Sequence, residues 1–411
     1  MLLQYIDPGT GSMLFSVVIG LMTMLYFVGK AVLIRLKFVF SGGRAVISKN
    51  RVPLVIYSEG KRYWNVFKPI LEALEHMEIR TVFYTSSEDD PVFLEHFEYI
   101  ESEFIGQGNK AFTRLNFLEA DVCLMTTPGL NVYQLKRSRG VRHYSHILHS
   151  VDDATGYRLF GLDYFDSVLL SGEYQKAHIR KLEEQRGIPR KELIVVGCPY
   201  LDVLKEKVAM LPKDRHDNFT VLVAPSWGKS GILSRYGSSL LDPLVDTGYS
   251  IIVRPHPQSW QSEQEMLKNL EERYTSKNNL EWDHRNENLQ SLSRADIMIS
   301  DFSGVIFDYV FLFDRPFLYV NNDFDARPYD AYDVDEQPWR FRVLPEIGYP
   351  LQEHDFNHIG EVLQKVVDST YLKENRILAR ETAWQFQGES GQHVAQYLQQ
   401  ELSTNLVGDQ E

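Results

Sequence analysis

Two short segments hold the residue types most suited to binding and moving charge. In Val253-Arg254-Pro255-His256-Pro257 an apolar run ends in an arginine and a histidine, each followed by proline. Proline fixes its own backbone and restricts the residue before it, so both side chains leave the strand end in set directions. A guanidinium fork suits phosphate oxygens, and an imidazole beside it can donate a hydrogen bond or protonate a leaving oxygen. The second segment is Ser300-Asp301-Phe302-Ser303-Gly304, after the apolar Ala295–Ile299. It reads as strand, tight turn and helix start. A helix N-terminus with small residues is an anion site, because backbone donors and the macrodipole point at the ligand. The structural alternatives are an Arg254 paired with a surface acid and a plain N-cap by Ser300 or Asp301. Asp308, within the apolar run Val305–Phe313, needs a partner; it orients a site residue or a ribose, or makes a structural hydrogen bond.

The elements that position these residues follow an α/β pattern. From Val52, short β-branched runs alternate with amphipathic helices: 52–58, 81–84, 121–125, 145–148, 167–170 and 193–196 read as strands. After the polar segment Pro212–Asn218 a second series begins, with strands at 220–223, 249–253, 280–282, 295–299 and 316–320. Two such series predict two Rossmann-like domains facing across a cleft, with ligands beyond the carboxyl ends of parallel strands. Arg254, His256 and the turn Ser300–Gly304 follow strands of one sheet, where they converge on one diphosphate. The expected domains are 51–211 and 219–370, preceded by an anchor and basic segment over 1–45 and followed by a helical segment and tail over 371–411.

At 411 residues the chain exceeds one ordinary core. Its 44% hydrophobic and 24% charged residues are globular, and a net charge of −13 argues against nucleic acid as partner. The two cysteines, Cys123 and Cys198, sit in apolar runs without ligand spacing and read as buried thiols. No metal site is expected.

Ser12–Val28 is an uncharged run, and no acidic residue falls between Lys30 and Arg51, a stretch that holds Lys30, Arg35, Lys37, Arg44, Lys49 and Arg51. A signal peptide, a core helix and a membrane anchor compete for this segment. The opening lacks a basic n-region and a small-residue cleavage site. The expectation is an uncleaved single-pass anchor through residues 12–40, with the catalytic domains on the cytoplasmic side by the positive-inside rule.

These residues resemble the CDP-glycerol glycerophosphotransferases of teichoic acid and related surface-polymer synthesis. The resemblance rests on Arg254-Pro-His256-Pro and on Ser300-Asp301-x-Ser303-Gly304 with Asp308-Tyr309 and Arg315-Pro316. Ala224-Pro-Ser226-Trp227 and Gly197-Cys-Pro-Tyr-Leu-Asp202 support it, over roughly positions 120–320. It implies a GT-B fold and transfer of glycerol phosphate from CDP-glycerol to a hydroxyl, with release of CMP and no cofactor. Arg254 and His256 would hold the donor phosphates, Ser300, Asp301, Ser303 and Gly304 would bind the diphosphate, and Asp308 and Ser226 would support them. Many members carry a Trp-His-Gly motif whose histidine is the general base; the matching place here is Leu148-His149-Ser150, which keeps only the histidine. His146 competes with His149 for that role, and Asp152 and Asp153 either orient a histidine or are loop acids. The implied setting is the bacterial cytoplasmic membrane, with a lipid-linked or polymer acceptor. The rival readings are a GT-B glycosyltransferase using a nucleotide sugar and a non-catalytic scaffold.

Overall fold

The computed structural model describes residues 21–30, 32–33, 51–212, 218–285, 287–321 and 325–407. Residues 1–51 and 52–411 are separate units. In the first, residues 21–30 and 32–33 are helical, with Leu21, Met22 and Leu25 exposed. Among the described residues no helix is long and apolar enough to cross a membrane. The anchor expected over residues 12–40 and the basic run after it lie mostly outside the described residues, which do not carry that span.

The second unit contains two parallel sheets. One has the order β3-β2-β1-β4-β5-β6-β7, formed by β1 (Val52–Ser58), β2 (Thr81–Thr85), β3 (Ile100–Phe104), β4 (Glu119–Met125), β5 (Gly140–Ile147), β6 (Ser167–Leu170) and β7 (Glu192–Val195). The other has the order β10-β9-β8-β11-β12-β13, formed by β8 (Thr220–Val223), β9 (Ser250–Val253), β10 (Leu280–Trp282), β11 (Ile297–Ser300), β12 (Phe317–Tyr319) and β13 (Tyr349–Pro350). Every named pairing is parallel. Both orders run outward and then reverse, which is the doubly wound arrangement. In such sheets the crevice opens where the order switches, between β1 and β4 in one and between β8 and β11 in the other.

The central strands are apolar on both faces, as β8 (Thr-Val-Leu-Val) and β11 (Ile-Met-Ile-Ser) show, and are fully buried because helices cover both sides. The edge strand β3, Ile-Glu-Ser-Glu-Phe, is different: its three middle residues are exposed and two are acidic. Charge on an exposed edge blunts pairing with other chains, and it also removes the apolar signature of a strand. For that reason β3 does not stand out in the sequence pattern, and β13, Tyr-Pro, is too short to show one.

The chain returns to its first half at the end. Helix Ser390–Val407 packs on helix Trp64–His76, placing Val394, Ala395 and Leu398 in one core with Val66, Phe67, Ile70 and Leu71. Full burial of each Val, Leu, Ile or Phe side chain there contributes about 1.5–3 kcal/mol. The two backbones come close at Gly391, where a Cβ would lie 2.4 Å from the Pro69 carbonyl oxygen. Asp202 secures the crossing by accepting hydrogen bonds from Trp384 Nε1 (2.8 Å), Gly388 N (2.8 Å) and Ser390 N (3.0 Å). Gly197 leads into the helix that carries Asp202; its φ is +90° and a Cβ there would meet the Gln385 carbonyl oxygen at 2.4 Å.

A second clasp joins the halves through loops. Asp330 accepts from Phe160 N (2.7 Å), Gly161 N (3.1 Å) and Arg186 Nη2 (2.7 Å), while Arg186 also pairs with Asp163 at 2.7 Å. These buried acids are matched by a guanidinium and by backbone donors, the condition for an inward charge to be tolerated.

Candidate functional site

The carboxyl ends of both sheets line one cleft. Its larger lobe, about 800 Å³, is lined by Arg254, His256, Ser303 and Gly304 from the second half and by Lys61 and Arg62 from the first. A smaller lobe of about 410 Å³ holds His149, Asp152 and Asp308. Arg62, Tyr200 and Gly304 line both lobes, so the two adjoin.

Arg254 follows the last residue of β9 and is 8% exposed. Its Nη1 donates to Asp283 Oδ2, and Asp283 follows the last residue of β10. Burial pushes the Asp283 carboxyl up, but donors from Arg285, Ser291 and Arg254 outweigh this and hold it below the usual carboxylate range. Arg254 is therefore paired with a buried acid that aims it, and not with the surface acid of the structural alternative. His256 Nδ1 accepts from the Gln258 backbone N–H at 3.1 Å. A nitrogen that accepts is unprotonated, so the neutral ring carries its proton on Nε2 and offers a donor there. Burial lowers the His256 pKa against the opposing pull of Asp301 and Glu263, which favours that neutral form.

The turn after β11 divides in two. Ser303, Gly304 and Val305 line the cleft at the start of helix Val305–Phe313, where the Ile306 and Phe307 amides already donate to the Ser303 (3.3 Å) and Gly304 (3.1 Å) carbonyls. Gly304 has ordinary helical angles (φ −60°, ψ −21°), and a Cβ there would lie 3.6 Å from Asp152 Oδ2 of the other half. Ser300 and Asp301 depart from the expected phosphate contact. Both are fully buried: Ser300 Oγ donates to the Ala224 carbonyl at 2.6 Å, and Asp301 accepts from Ser226 N (3.0 Å) and Ile232 N (3.3 Å). They turn back across the switch between β8 and β11 because the end of β8 brings unpaired backbone groups beside them, and they shape the loop that holds Ser226. Burial raises the Asp301 pKa despite these hydrogen bonds. Trp227, half exposed, places its ring centroid 6.5 Å from that of His256.

On the other side, the chain leaves β5 at Ile147 and reaches the cleft at His149. The His149 ring meets Tyr63 edge-on, with centroids 5.4 Å apart, and its Nδ1 lies 3.4 Å from the Tyr157 hydroxyl. Burial lowers its pKa, Asp152 pulls it up, and Arg62 pushes it down again. His146 lies inside the first half: it is fully buried, its Nε2 sits 3.0 Å from the same Tyr157 hydroxyl, and burial takes its pKa down to about 3. Of the two histidines, His149 lines the cleft.

Asp152 pairs with Arg340 Nη1 at 3.0 Å, and Arg340 Nη2 donates to the Phe302 carbonyl, so one side chain links both halves beside the cleft. Asp153 accepts from Trp339 N (2.8 Å) and Arg340 N (2.9 Å), the start of helix Trp339–Ile347. It is a buried cap between halves, and neither orients His149 nor lies exposed in a loop. Asp308 accepts from the Tyr200 hydroxyl at 3.2 Å; burial raises its pKa to about 7, with Asp152 adding to the rise. One group of described residues, His143, Glu192 and Glu401, has metal-ligand atoms within 4.8 Å of one another. None of the three lines the cleft.

Sequence reading did not single out Asp283, Tyr157, Tyr200 or Arg340. Asp283 had a signal, since it directly follows a strand end on the sheet that bears Arg254. Tyr157 had none, because loop geometry alone carries it back to the two histidines.

Residues 163–334 match the family model described as CDP-glycerol:poly(glycerophosphate) glycerophosphotransferase. No curated protein matches the chain. Among solved structures, the wall teichoic acid polymerase TagF is 16% identical with a TM-score of 0.54, over 95% of this chain and 99% of the polymerase chain. A TagF variant soaked with CDPG is also 16% identical, with a TM-score of 0.52 over 95% of this chain and 99% of its own. UDP-GlcNAc 2-epimerase from Neisseria meningitidis is 14% identical with a TM-score of 0.54, over 85% of this chain and all of its own. At such identities these likenesses establish the fold: an α/β architecture of parallel sheets shared with GT-B enzymes.

Proposed function

Since residues 163–334 match the model of the CDP-glycerol:poly(glycerophosphate) glycerophosphotransferase family, we propose that this transferase moves a glycerol phosphate unit from CDP-glycerol to a hydroxyl of a membrane-associated surface-polymer acceptor, releasing CMP. The observation that carries the reading is that the two lobes adjoin: a histidine suited to proton removal lines one, a set of phosphate donors lines the other, and Arg62, Tyr200 and Gly304 border both.

In this reading the donor diphosphate lies against Arg254, the Nε2–H of His256 and the first turn of helix Val305–Phe313. His149 takes the proton of the acceptor hydroxyl as its oxygen attacks the β-phosphorus, and the bond to the CMP oxygen breaks. Cationic and backbone donors stabilise the equatorial oxygens, where charge accumulates during phosphoryl transfer. Lys61, Arg62, Lys207 and Arg254 all line the larger lobe, so a chain with a net charge of −13 keeps its cations where an anion must bind. Asp301 and Ser300 act behind this surface by holding the Ala224–Ser226 turn.

The GT-B fold is shared with nucleotide-sugar enzymes, so a UDP- or CDP-sugar is the competing donor. Purified protein with CDP-glycerol and a phosphoglycerol-primed lipid acceptor should release CMP. Absence of CMP release together with turnover of a nucleotide sugar rejects the proposal. The membrane part of the reading rests on the uncharged run Ser12–Val28 and the basic residues after it. Carbonate washing of membranes should leave the full-length chain in the pellet; release of intact protein removes the anchor from the proposal.

A further inference from the structure

The neutral imidazole of a general base must hold its proton on the nitrogen away from the substrate. For His149 that nitrogen is Nδ1, and its neighbour is the Tyr157 hydroxyl, 3.4 Å away. The same hydroxyl lies 3.0 Å from Nε2 of the buried His146. Ring geometry agrees: Tyr157 stands edge-on to His146, with centroids 5.2 Å apart at 89°, and is tilted against His149 at 6.3 Å. We propose that Tyr157, backed by His146, is a positioning pair that fixes the tautomer of His149 and leaves its Nε2 lone pair facing the acceptor hydroxyl.

A phenol has one proton for two imidazole neighbours, so it donates to one and accepts from the other. Two arrangements exist. In one, Tyr157 donates to His149 Nδ1; His146 must then carry its proton on Nε2 and bury a bare Nδ1. In the other, Tyr157 donates to His146 Nε2 and accepts from His149 Nδ1–H, and His146 carries its proton on Nδ1. The role of His149 as base decides between them: with the Tyr157 hydroxyl between the two rings, only the second arrangement leaves His149 Nε2 with a free lone pair. His146 is held neutral by full burial, so it does not compete for the catalytic proton.

The proton path balances simply: the acceptor hydroxyl gives its proton to His149 Nε2, Nδ1–H stays on the Tyr157 oxygen, and the imidazolium so formed keeps both N–H groups partnered. The other groups facing His149 are Tyr63 at its edge, with Arg62, Glu59 and Asp152 acting through charge and Tyr200 and Asp308 sharing the lobe. None of them is hydrogen-bonded to its Nδ1 among the contacts described.

This inference rests on the reading of His149 as base, and the experiment separates the two. Long-range nitrogen–proton spectra of the ¹⁵N-histidine-labelled protein should show neutral His149 with its proton on Nδ1, and Tyr157→Phe should shift part of that population to Nε2–H. In CMP-release assays Tyr157→Phe should lower kcat on the order of tenfold or more while KM for CDP-glycerol stays within about twofold; His149→Ala should cost about 10²–10⁴-fold. The acid limb of the Tyr157→Phe pH profile should move to lower pH, because the imidazolium loses an acceptor. A merely packing role for the tyrosine, which loses one oxygen in this variant, moves neither the tautomer nor the profile. Turnover that survives His149→Ala overturns the base reading, and the proposal with it. Loss of turnover in His149→Ala alongside an unaltered Tyr157→Phe overturns the proposal alone, as does a wild-type His149 protonated on Nε2.

Discussion

The ends of β5 and β9 each bring a histidine to the same cleft, but the two are held by opposite kinds of neighbour. His256 Nδ1 receives a backbone N–H, and Arg254 beside it is locked to Asp283. His149 Nδ1 faces a side-chain hydroxyl at a longer 3.4 Å. The first region presents N–H groups that no proton movement can alter, which suits a task of binding charge. The second depends on a phenol whose proton can point either way, which suits a task of exchanging one. A rigid wall suited to holding an anion thus adjoins a wall suited to moving a proton, and the contrast is set by the atom opposite Nδ1.

The sharpest way to break the rigid wall is to remove its hidden acid. Asp283→Asn leaves Arg254 without its buried partner, and the expected cost is about 3 kcal/mol, the low end for a broken buried pair because this one borders the open cleft. The pH sign follows from its depressed pKa: the stability that Asp283 contributes is present above the ordinary carboxylate value of about 4 and lost as pH falls below it. Denaturant titrations at pH 7 and below pH 4 should show the gap between wild type and variant closing in acid. Arg254→Ala removes the ligand-facing member instead. A charge-assisted hydrogen bond worth about 1.5–3 kcal/mol corresponds to a fall of roughly 10- to 100-fold in kcat/KM for the donor. If Arg254→Ala turns over CDP-glycerol as well as wild type, the rigid wall does not bind the donor.

Asp308 tests the other wall by its pH response. Its pKa is raised to about 7, so its contribution to stability is present below the unfolded value near 4 and lost as pH rises through 7. Asp308→Asn should therefore flatten the dependence of Tm on pH between 4 and 7, and gain on wild type toward pH 8. An unchanged profile means that Asp308 is an ordinary carboxylate. The smallest effect belongs to Ser300→Ala, which removes one hydrogen bond to the Ala224 carbonyl: about 1 kcal/mol of stability, with KM for the donor unchanged. A large rise in KM would return Ser300 to the phosphate site.

The doubly wound fold was legible in the sequence because buried parallel strands read as continuous apolar runs, and the strand ends that matter for ligands were legible with them. That reading placed Arg254, His256, Ser303 and Gly304 at the cleft. It went astray one residue at a time within the turn after β11. Alternation decides which side chains of a turn face solvent and which face back, and nothing in Ser300-Asp301-Phe302-Ser303 marks the first pair as the inward one. The choice between His146 and His149 was similarly closed to sequence, since both are histidines near one strand end; the difference is that β5 continues to Ile147 and buries His146 within it. Long-range partners such as Tyr157, Asp283 and Arg340 depend on how loops and halves meet, which local pattern does not encode.

The return of helix Ser390–Val407 to the first sheet also orders events during synthesis. The half of the protein that leaves the ribosome first cannot complete its core, because Val394, Ala395 and Leu398 form one wall of it. Until those last residues emerge, the apolar face of helix Trp64–His76 stays uncovered, a surface of the kind that chaperones recognise on nascent chains. The order of translation is therefore not the order of completion: the first half is begun before the second, yet its core closes only once Ser390–Val407 has been made.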